Sequence, residues 1–289
     1  MTKKYGILAS PAKHSLSPVM HNAAFKELGI DAQYGVFEIP ETGLREFIEH
    51  AKHEPMSGLS VSLPHKETVM DYLNKVDEDA KKIGAVNTIV NKGGFLYGYN
   101  TDFLGSNRSI KDVYQDLKGV KVVVIGAGGA TRGIVYGLLK EGAEVKAIFN
   151  RSVEKAVEIA QEFGMMFGVG IEGRSLDDLA TLPYCDDLKA GRSTLIQTSS
   201  IWTLNPKMSE GEIEAFCPSD YVDCFDVVMD IVYQPLKTPL LKIAEEKRKT
   251  VITGEKMLLY QAVEQFKIWT DQDAPIEIMR EELMKNIKL

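Results

Sequence analysis

The chain has 289 residues and a formal net charge of −7, with 44% hydrophobic and 26% charged residues. That length suggests two domains at roughly 150 residues each, and the balance suits a globular protein that buries a core. No apolar run approaches the ~20 residues a membrane span needs. No signal-peptide core opens the chain, and no basic stripe is offered to nucleic acid, so the chain reads as cytoplasmic, with neither membrane nor nucleic acid as a partner.

From the start of the chain, Tyr5–Ala9, Tyr34–Glu38 and Gly58–Ser62 read as short strands. Amphipathic helices over Pro18–Leu28 and Leu44–Lys52 separate them. Ala85–Asn91 and Phe95–Tyr99 read as two more strands, joined at the turn Lys92-Gly93-Gly94. After Asp102 the character changes. Lys121–Ile125 is a continuous β-branched run, as expected of a strand buried on both faces. A glycine turn, a helix over Thr131–Glu141, a strand over Glu144–Phe149 and a helix over Val153–Phe163 follow, a doubly wound βαβα unit. Thr194–Gln197 and Val227–Ile231 read as later strands, and 254–270 and 276–287 as terminal helices. The fold class is α/β with two domains. Residues 1–103 plus 255–289 form a substrate-binding domain, and 104–254 a Rossmann-type dinucleotide-binding domain, with a cleft expected between them.

The three cysteines, Cys185, Cys217 and Cys224, form no CxxC pair, and their odd number argues against a disulfide framework. The five histidines, His14, His21, His50, His53 and His65, all fall in the first 65 residues. No Cys or carboxylate arrangement completes a tetrahedral set with them, so no metal is expected.

Gly126-Ala127-Gly128-Gly129-Ala130 lies between the expected strand and helix, where backbone N–H groups meet a pyrophosphate at a helix N-terminus. An NAD-selective site carries Asp or Glu at the end of the next strand. Here that strand runs into Asn150-Arg151-Ser152, with Lys155 one turn on. Cations at a helix start oppose its dipole, so a bound anion explains them better than solvent does. This favours NADP over NAD.

Four polar clusters flank this domain: His14-Ser15-Leu16-Ser17-Pro18, Ser60-Val61-Ser62-Leu63-Pro64-His65-Lys66, Gly84-Ala85-Val86-Asn87-Thr88 and Gly98-Tyr99-Asn100-Thr101-Asp102. Each sits at the end of a strand-like run, where α/β proteins gather ligand-binding groups. Each also has a plainer reading. Ser17 and Ser62 suit helix N-caps, Asn87 a turn, and Lys66 and Asp102 surface charges.

Together these motifs resemble the shikimate/quinate dehydrogenase family along nearly the whole chain. The likeness includes Ser-x-Ser-Pro, Pro-x-Lys, Gly-Ala-Val-Asn-Thr, Asn-Thr-Asp, the glycine turn and Asn-Arg-Ser. It continues with Thr198-Ser199-Ser200, Tyr233-Gln234-Pro235 and Gly254-x-x-Met257-Leu258-x-x-Gln261. The resemblance implies NADPH-linked reduction of 3-dehydroshikimate to shikimate, in the route to the aromatic amino acids. Ser15 and Ser17 would hold the substrate carboxylate; Ser62, Asn87, Asp102 and Gln261 would bind ring hydroxyls. Lys66 and Asp102 would be the acid–base pair, with Lys66 either transferring the proton or stabilising charge. Thr198, Gly254 and Met257 are expected near the nicotinamide and Tyr233 at the substrate, although Tyr233 and Met257 also suit core packing. The family often has Asn-Val-Thr where this chain has Ser60-Val61-Ser62. That difference bears on the choice between shikimate and quinate. A broader quinate/shikimate dehydrogenase using NAD and a non-catalytic NADP-sensing module are the competing readings. The family resemblance leaves monomer and homodimer both open.

Overall fold

The computed structural model describes residues 2–53, 56–181, 183–205 and 207–287. The chain divides into two compact units, one of Met1–Gly105 with Leu258–Asn286, the other of Ser106–Met257. Among the described residues no helix is long and apolar enough to cross a membrane.

The first unit is built on a mixed sheet of β1 (Lys3–Ala9), β2 (Ala32–Glu38), β3 (Met56–Val61), β4 (Lys75–Val76), β5 (Thr88–Lys92) and β6 (Phe95–Tyr99). Their order is β2-β1-β3-β5-β6-β4. β1 runs parallel to β2 and β3, whereas β5 is antiparallel to both β3 and β6. One cluster packs Leu44, Ile48 and Ala51 of helix Leu44–His53 onto Leu59, Val61 and Ile89. A second layer is aromatic: Tyr5, His21, Phe25, Tyr34, Phe266 and Trp269 stack among helices Ser17–Glu27 and Gly254–Thr270. His21 is fully buried there, and burial pushes its imidazole down to about 3.

The second unit holds an all-parallel sheet of β7 (Lys121–Ile125), β8 (Glu144–Asn150), β9 (Glu172–Ser175), β10 (Ser193–Gln197), β11 (Val227–Asp230) and β12 (Thr250–Ile252). The order β12-β11-β10-β7-β8-β9 reverses direction at β7. Such reversals open a crevice at the carboxyl ends of the strands. β10 and β11 are buried along their whole lengths and β7 everywhere but Lys121, because helices cover both sheet faces.

Several expectations change at this level. Helix Ser17–Glu27 begins at Ser17 itself, with Leu16 at its N-cap, so Ser17 is no cap. No helix begins at Pro64; a turn leads into the 3-10 segment Thr68–Tyr72, and Ser62 caps nothing. The cysteines are corrected too: Cys185 and Cys224 form a disulfide with Cα atoms 5.0 Å apart, 39 residues apart in sequence. Counting cysteines along a chain says nothing of a pair brought together by tertiary packing. Cys217 is left buried and unpaired, and burial pushes its thiol up to about 12.

Candidate active site

In the first unit, Lys66 and Asp102 meet. Lys66 Nζ donates to Asp102 Oδ2 at 2.6 Å, with side chains only 12% and 6% exposed. The lysine stands on the loop after β3. Its carbonyl accepts from Val86 N at 2.7 Å, and the neighbouring His65 ring lies 2.7 Å from the Ile39 carbonyl. Asp102 opens helix Asp102–Tyr114, with its amide N–H on Asn100 Oδ1 at 3.0 Å. Both ends of the pair are therefore anchored through backbone.

Asn87 organises the cluster. Thr101 N–H donates to Asn87 Oδ1 at 2.8 Å, and a backbone N–H is always a donor, so the amide orientation is fixed. Nδ2 then faces Asp102 Oδ1 at 2.9 Å, Thr101 Oγ1 at 3.0 Å and Gln261 Oε1 at 3.5 Å. Thr88 Oγ1 donates to the same Oδ1 at 2.7 Å, and Thr101 Oγ1 lies 3.1 Å from the Gln261 carbonyl. Thus Lys66, Asp102, Asn87 and Gln261 form one bonded group, supported by Thr88 and Thr101. These two threonines were missed as site residues, although they lie inside the quoted motifs.

Ser15 and Ser17 form a separate pair, with Ser17 N donating to Ser15 Oγ at 3.3 Å. The Ser62 side chain makes no hydrogen bond to a described residue. Ser60 faces inward: it accepts from Tyr34 Oη at 2.7 Å and donates to Gln265 Oε1 at 2.8 Å. Gln265 Nε2 in turn donates to the Asn87 carbonyl at 3.0 Å. Ser60 of β3 is thus tied to Gln265 of helix Gly254–Thr270.

In the second unit, the turn after β7 fits a pyrophosphate. Gly126 has φ +114°, and a Cβ there would lie 2.2 Å from Thr198 Oγ1. Gly128 caps helix Gly129–Lys140, whose first turn, with Ala130, carries no acidic side chain, and a Cβ at Gly128 would meet only open space. Gly126 N donates to the Phe149 carbonyl at 2.7 Å and Gly128 N to Thr131 Oγ1 at 3.2 Å, so an anion would be received at the helix start beyond them. Ala127 lies between these two glycines. Thr198 Oγ1 lies 2.7 Å from Thr131 Oγ1 and donates to the Ile125 carbonyl at 2.9 Å.

At the end of β8, Asn150 Nδ2 donates to the Ser152 carbonyl at 2.9 Å, while Arg151 and Lys155 are exposed. Ser152 Oγ donates to Glu154 Oε2 at 3.0 Å. Tyr233 is half-buried on the loop after β11, in the second unit, and Met257 is buried. A Cβ on Gly254 would lie 2.4 Å from the Ile231 carbonyl oxygen, so only glycine lets that helix start pack on this loop.

Known proteins give this geometry a lineage. A shikimate dehydrogenase (NADP(+)) from Pyrococcus furiosus is 39% identical over 279 residues, 96% of this chain and 94% of its own. The chain belongs to the shikimate dehydrogenase family. The family's substrate binding domain matches residues 7–89, its shikimate/quinate 5-dehydrogenase domain 108–186, and its C-terminal domain 254–284. A crystal structure of shikimate dehydrogenase in complex with NADP+ superposes with TM-score 0.86 at 34% identity, covering 100% of this chain and 96% of that one. The Thermus thermophilus shikimate 5-dehydrogenase, in complex with NADP(H) and shikimate, gives 0.82 at 29% identity, covering 99% and 100%.

Proposed function

We propose that the chain reduces 3-dehydroshikimate to shikimate with NADPH, and that Lys66 and Asp102 are its acid–base pair. The observation that carries the chemistry is the 2.6 Å Lys66–Asp102 contact, held on its far side by the Asn87 amide. When bound, the cofactor supplies the hydride. Lys66 Nζ holds a proton toward the substrate carbonyl oxygen and stabilises the charge that develops there. Asp102 gives this ammonium its counter-charge, while Asn87 keeps Asp102 from turning away. The Ser15 and Ser17 hydroxyls hold the substrate carboxylate. Hydrogen bonds to a charged group contribute about 1.5–3 kcal/mol each, so no arginine is needed. Gln261 and Ser62 bind ring hydroxyls, and Tyr233 is a further substrate contact.

For the cofactor, the glycine turn takes the pyrophosphate and Asn150, Arg151, Ser152 and Lys155 take the 2′-phosphate. Thr198, Gly254 and Met257 lie toward the nicotinamide. A cytoplasmic location is proposed with this role, in keeping with an NADPH-consuming biosynthetic step. Ser60 is engaged by Tyr34 and Gln265, which leaves the ring contact to Ser62; shikimate over quinate is supported by the relatives named shikimate dehydrogenase (NADP(+)).

The test is a matrix of initial rates with shikimate or quinate and NADP+ or NAD+, with Lys66→Ala and Asp102→Asn alongside. Turnover of shikimate with NADP+ that collapses in both variants is expected. Preferred turnover of quinate, or with NAD+, would overturn the specificity assignment. Undiminished turnover in either variant would overturn the acid–base pair.

A further inference from the structure

The carboxyl end of β11 holds a buried acid that the mechanism above does not use. Asp230 is 0% exposed. Its Oδ1 accepts from Gln197 Nε2 at 3.3 Å and Val232 N at 3.0 Å; its Oδ2 accepts from Trp202 Nε1 at 2.7 Å and Thr238 Oγ1 at 2.8 Å. Burial pushes its carboxyl up to about 7, and the four donors act against that shift. Even with four donors the carboxyl stays above its ordinary range, so keeping an ionised acid at this place costs stability.

The donors come from two loops. Gln197 ends β10, and its side chain also bonds Ser199, with Nε2 on the Ser199 carbonyl at 2.9 Å and Oε1 accepting from Ser199 N. Trp202 lies in the short helix that follows, in the hydrophobic core against Phe216. Between Gln197 and Trp202 stands Thr198, which bonds Thr131 and closes over Gly126. Val232 and Thr238 bracket the loop after β11, which carries Tyr233, and Gly254 presses on the same loop from its other side.

Sheet order tells which part of a dinucleotide these loops meet. The pyrophosphate turn follows β7, and the 2′-phosphate candidates follow β8 on one side of it. β10 and β11 lie on the opposite side. A dinucleotide draped over the carboxyl ends of this sheet must lay its nicotinamide half across the loops that Asp230 joins.

We propose that Asp230 is a positioning residue for the nicotinamide half of the cofactor, acting by locking the 198–202 and 231–238 loops to one carboxylate. The proposal rests on the cofactor reading above. It predicts a split that a general loosening of the second unit would not produce, because the adenosine half is held at β7 and β8.

Calorimetry on the full chain tests it with two probes, NADPH and 2′,5′-ADP, which lacks the nicotinamide. Asp230→Asn keeps the shape of the side chain but puts an NH2 where two donors now point. It should weaken NADPH about tenfold, the equivalent of one charged hydrogen bond, and leave 2′,5′-ADP within about twofold. Trp202→Phe, which removes one donor and keeps the ring, should shift the same ratio in the same direction by a smaller factor, and serves if Asp230→Asn does not fold. Parallel weakening of both probes would overturn the proposal in favour of a purely structural role, and so would unchanged NADPH affinity. If the unsubstituted protein fails to bind 2′,5′-ADP, the cofactor reading itself falls and the positioning role with it.

Discussion

Around Lys66 and Asp102 the site is made of side chains that hold one another, whereas at the turn after β7 it is made of backbone and of a missing Cβ. Asn87 bonds Asp102, Thr101, Thr88 and Gln261 within one buried group. Gly126 and Gly128 contribute shape, their own N–H groups being held by the Phe149 carbonyl and Thr131 Oγ1. The proposed reaction chemistry needs charge placed to a fraction of an ångström, and Lys66 and Asp102 each have a partner fixing them. Phosphate binding needs room and aligned dipoles, which side chains would obstruct. Substitutions in the two regions should therefore fail differently, one in rate and the other in sterics.

The largest expected effect is on rate. Lys66→Ala removes the charge at the reacting carbonyl and should lower kcat by about 10³-fold, within the range for general acid catalysis. NADPH affinity should stay close to that of the unsubstituted protein, while the melting temperature falls because the buried Asp102 carboxylate loses its counter-charge. A matching loss of NADPH binding would blur the contrast between the two regions. Next comes Gly126→Ala. Its methyl would stand 2.2 Å from Thr198 Oγ1 and 3.0 Å from Ser199 N, at φ +114°. Strain of this kind costs about 1–3 kcal/mol, read as a lower melting temperature together with loss of NADPH binding. Retained binding at full stability would sink the steric account.

The contrast between regions also bears on what the sequence reveals. The glycine turn is legible because strand, turn and helix are contiguous, and each part has its own local signal. Lys66 and Asp102 are 36 residues apart, and no periodicity connects them; only the family motifs bring them together. Thr88 and Thr101 lie within those motifs, yet their task of orienting an amide exists only once β5 and the start of helix Asp102–Tyr114 are adjacent. Asp230 is harder still, since its donors come from positions 197, 202, 232 and 238. The strands β4, β9 and β12, of two to four residues, are too short to show a period of two. Helix Asp102–Tyr114 escaped the strand–helix reading because it begins at the expected domain boundary. Cys185 and Cys224 escaped because their pairing is made by packing.

Two buried titratable groups set the units against each other in pH. His21 in the first unit titrates near 3 when folded, against an ordinary value of 6.5. As pH falls through that window the unfolded chain takes up the proton first, so stability present above 6.5 is lost toward 3. Asp230 in the second unit is pushed up to about 7 from 3.8. Its contribution is full below 3.8 and is lost as pH rises toward 7. Each limit is about 1.4 kcal/mol per pH unit. Hydrogen exchange, corrected for intrinsic rates, should show protection of β1–β3 falling between pH 7 and 4.5 while that of β10–β11 rises. Movement of both units in the same direction would mean that other groups dominate.

The smallest effect is expected at the end of β8, where the cations proposed for the 2′-phosphate, Arg151 and Lys155, are exposed. Arg151 lies in solvent, so its attraction for an anion is screened. Arg151→Ala should raise KM for NADPH about tenfold while leaving KM for NADH nearly unchanged, because only the phosphate distinguishes the two. Glu154 takes the Ser152 hydroxyl at 3.0 Å, and its charge would oppose the proposed phosphate. Glu154→Gln should therefore move NADPH affinity the other way, tightening it about twofold, with KM for NADH again fixed. Equal shifts for both cofactors in the two variants would place the phosphate elsewhere and leave Arg151 and Lys155 as ordinary charges at the start of a helix.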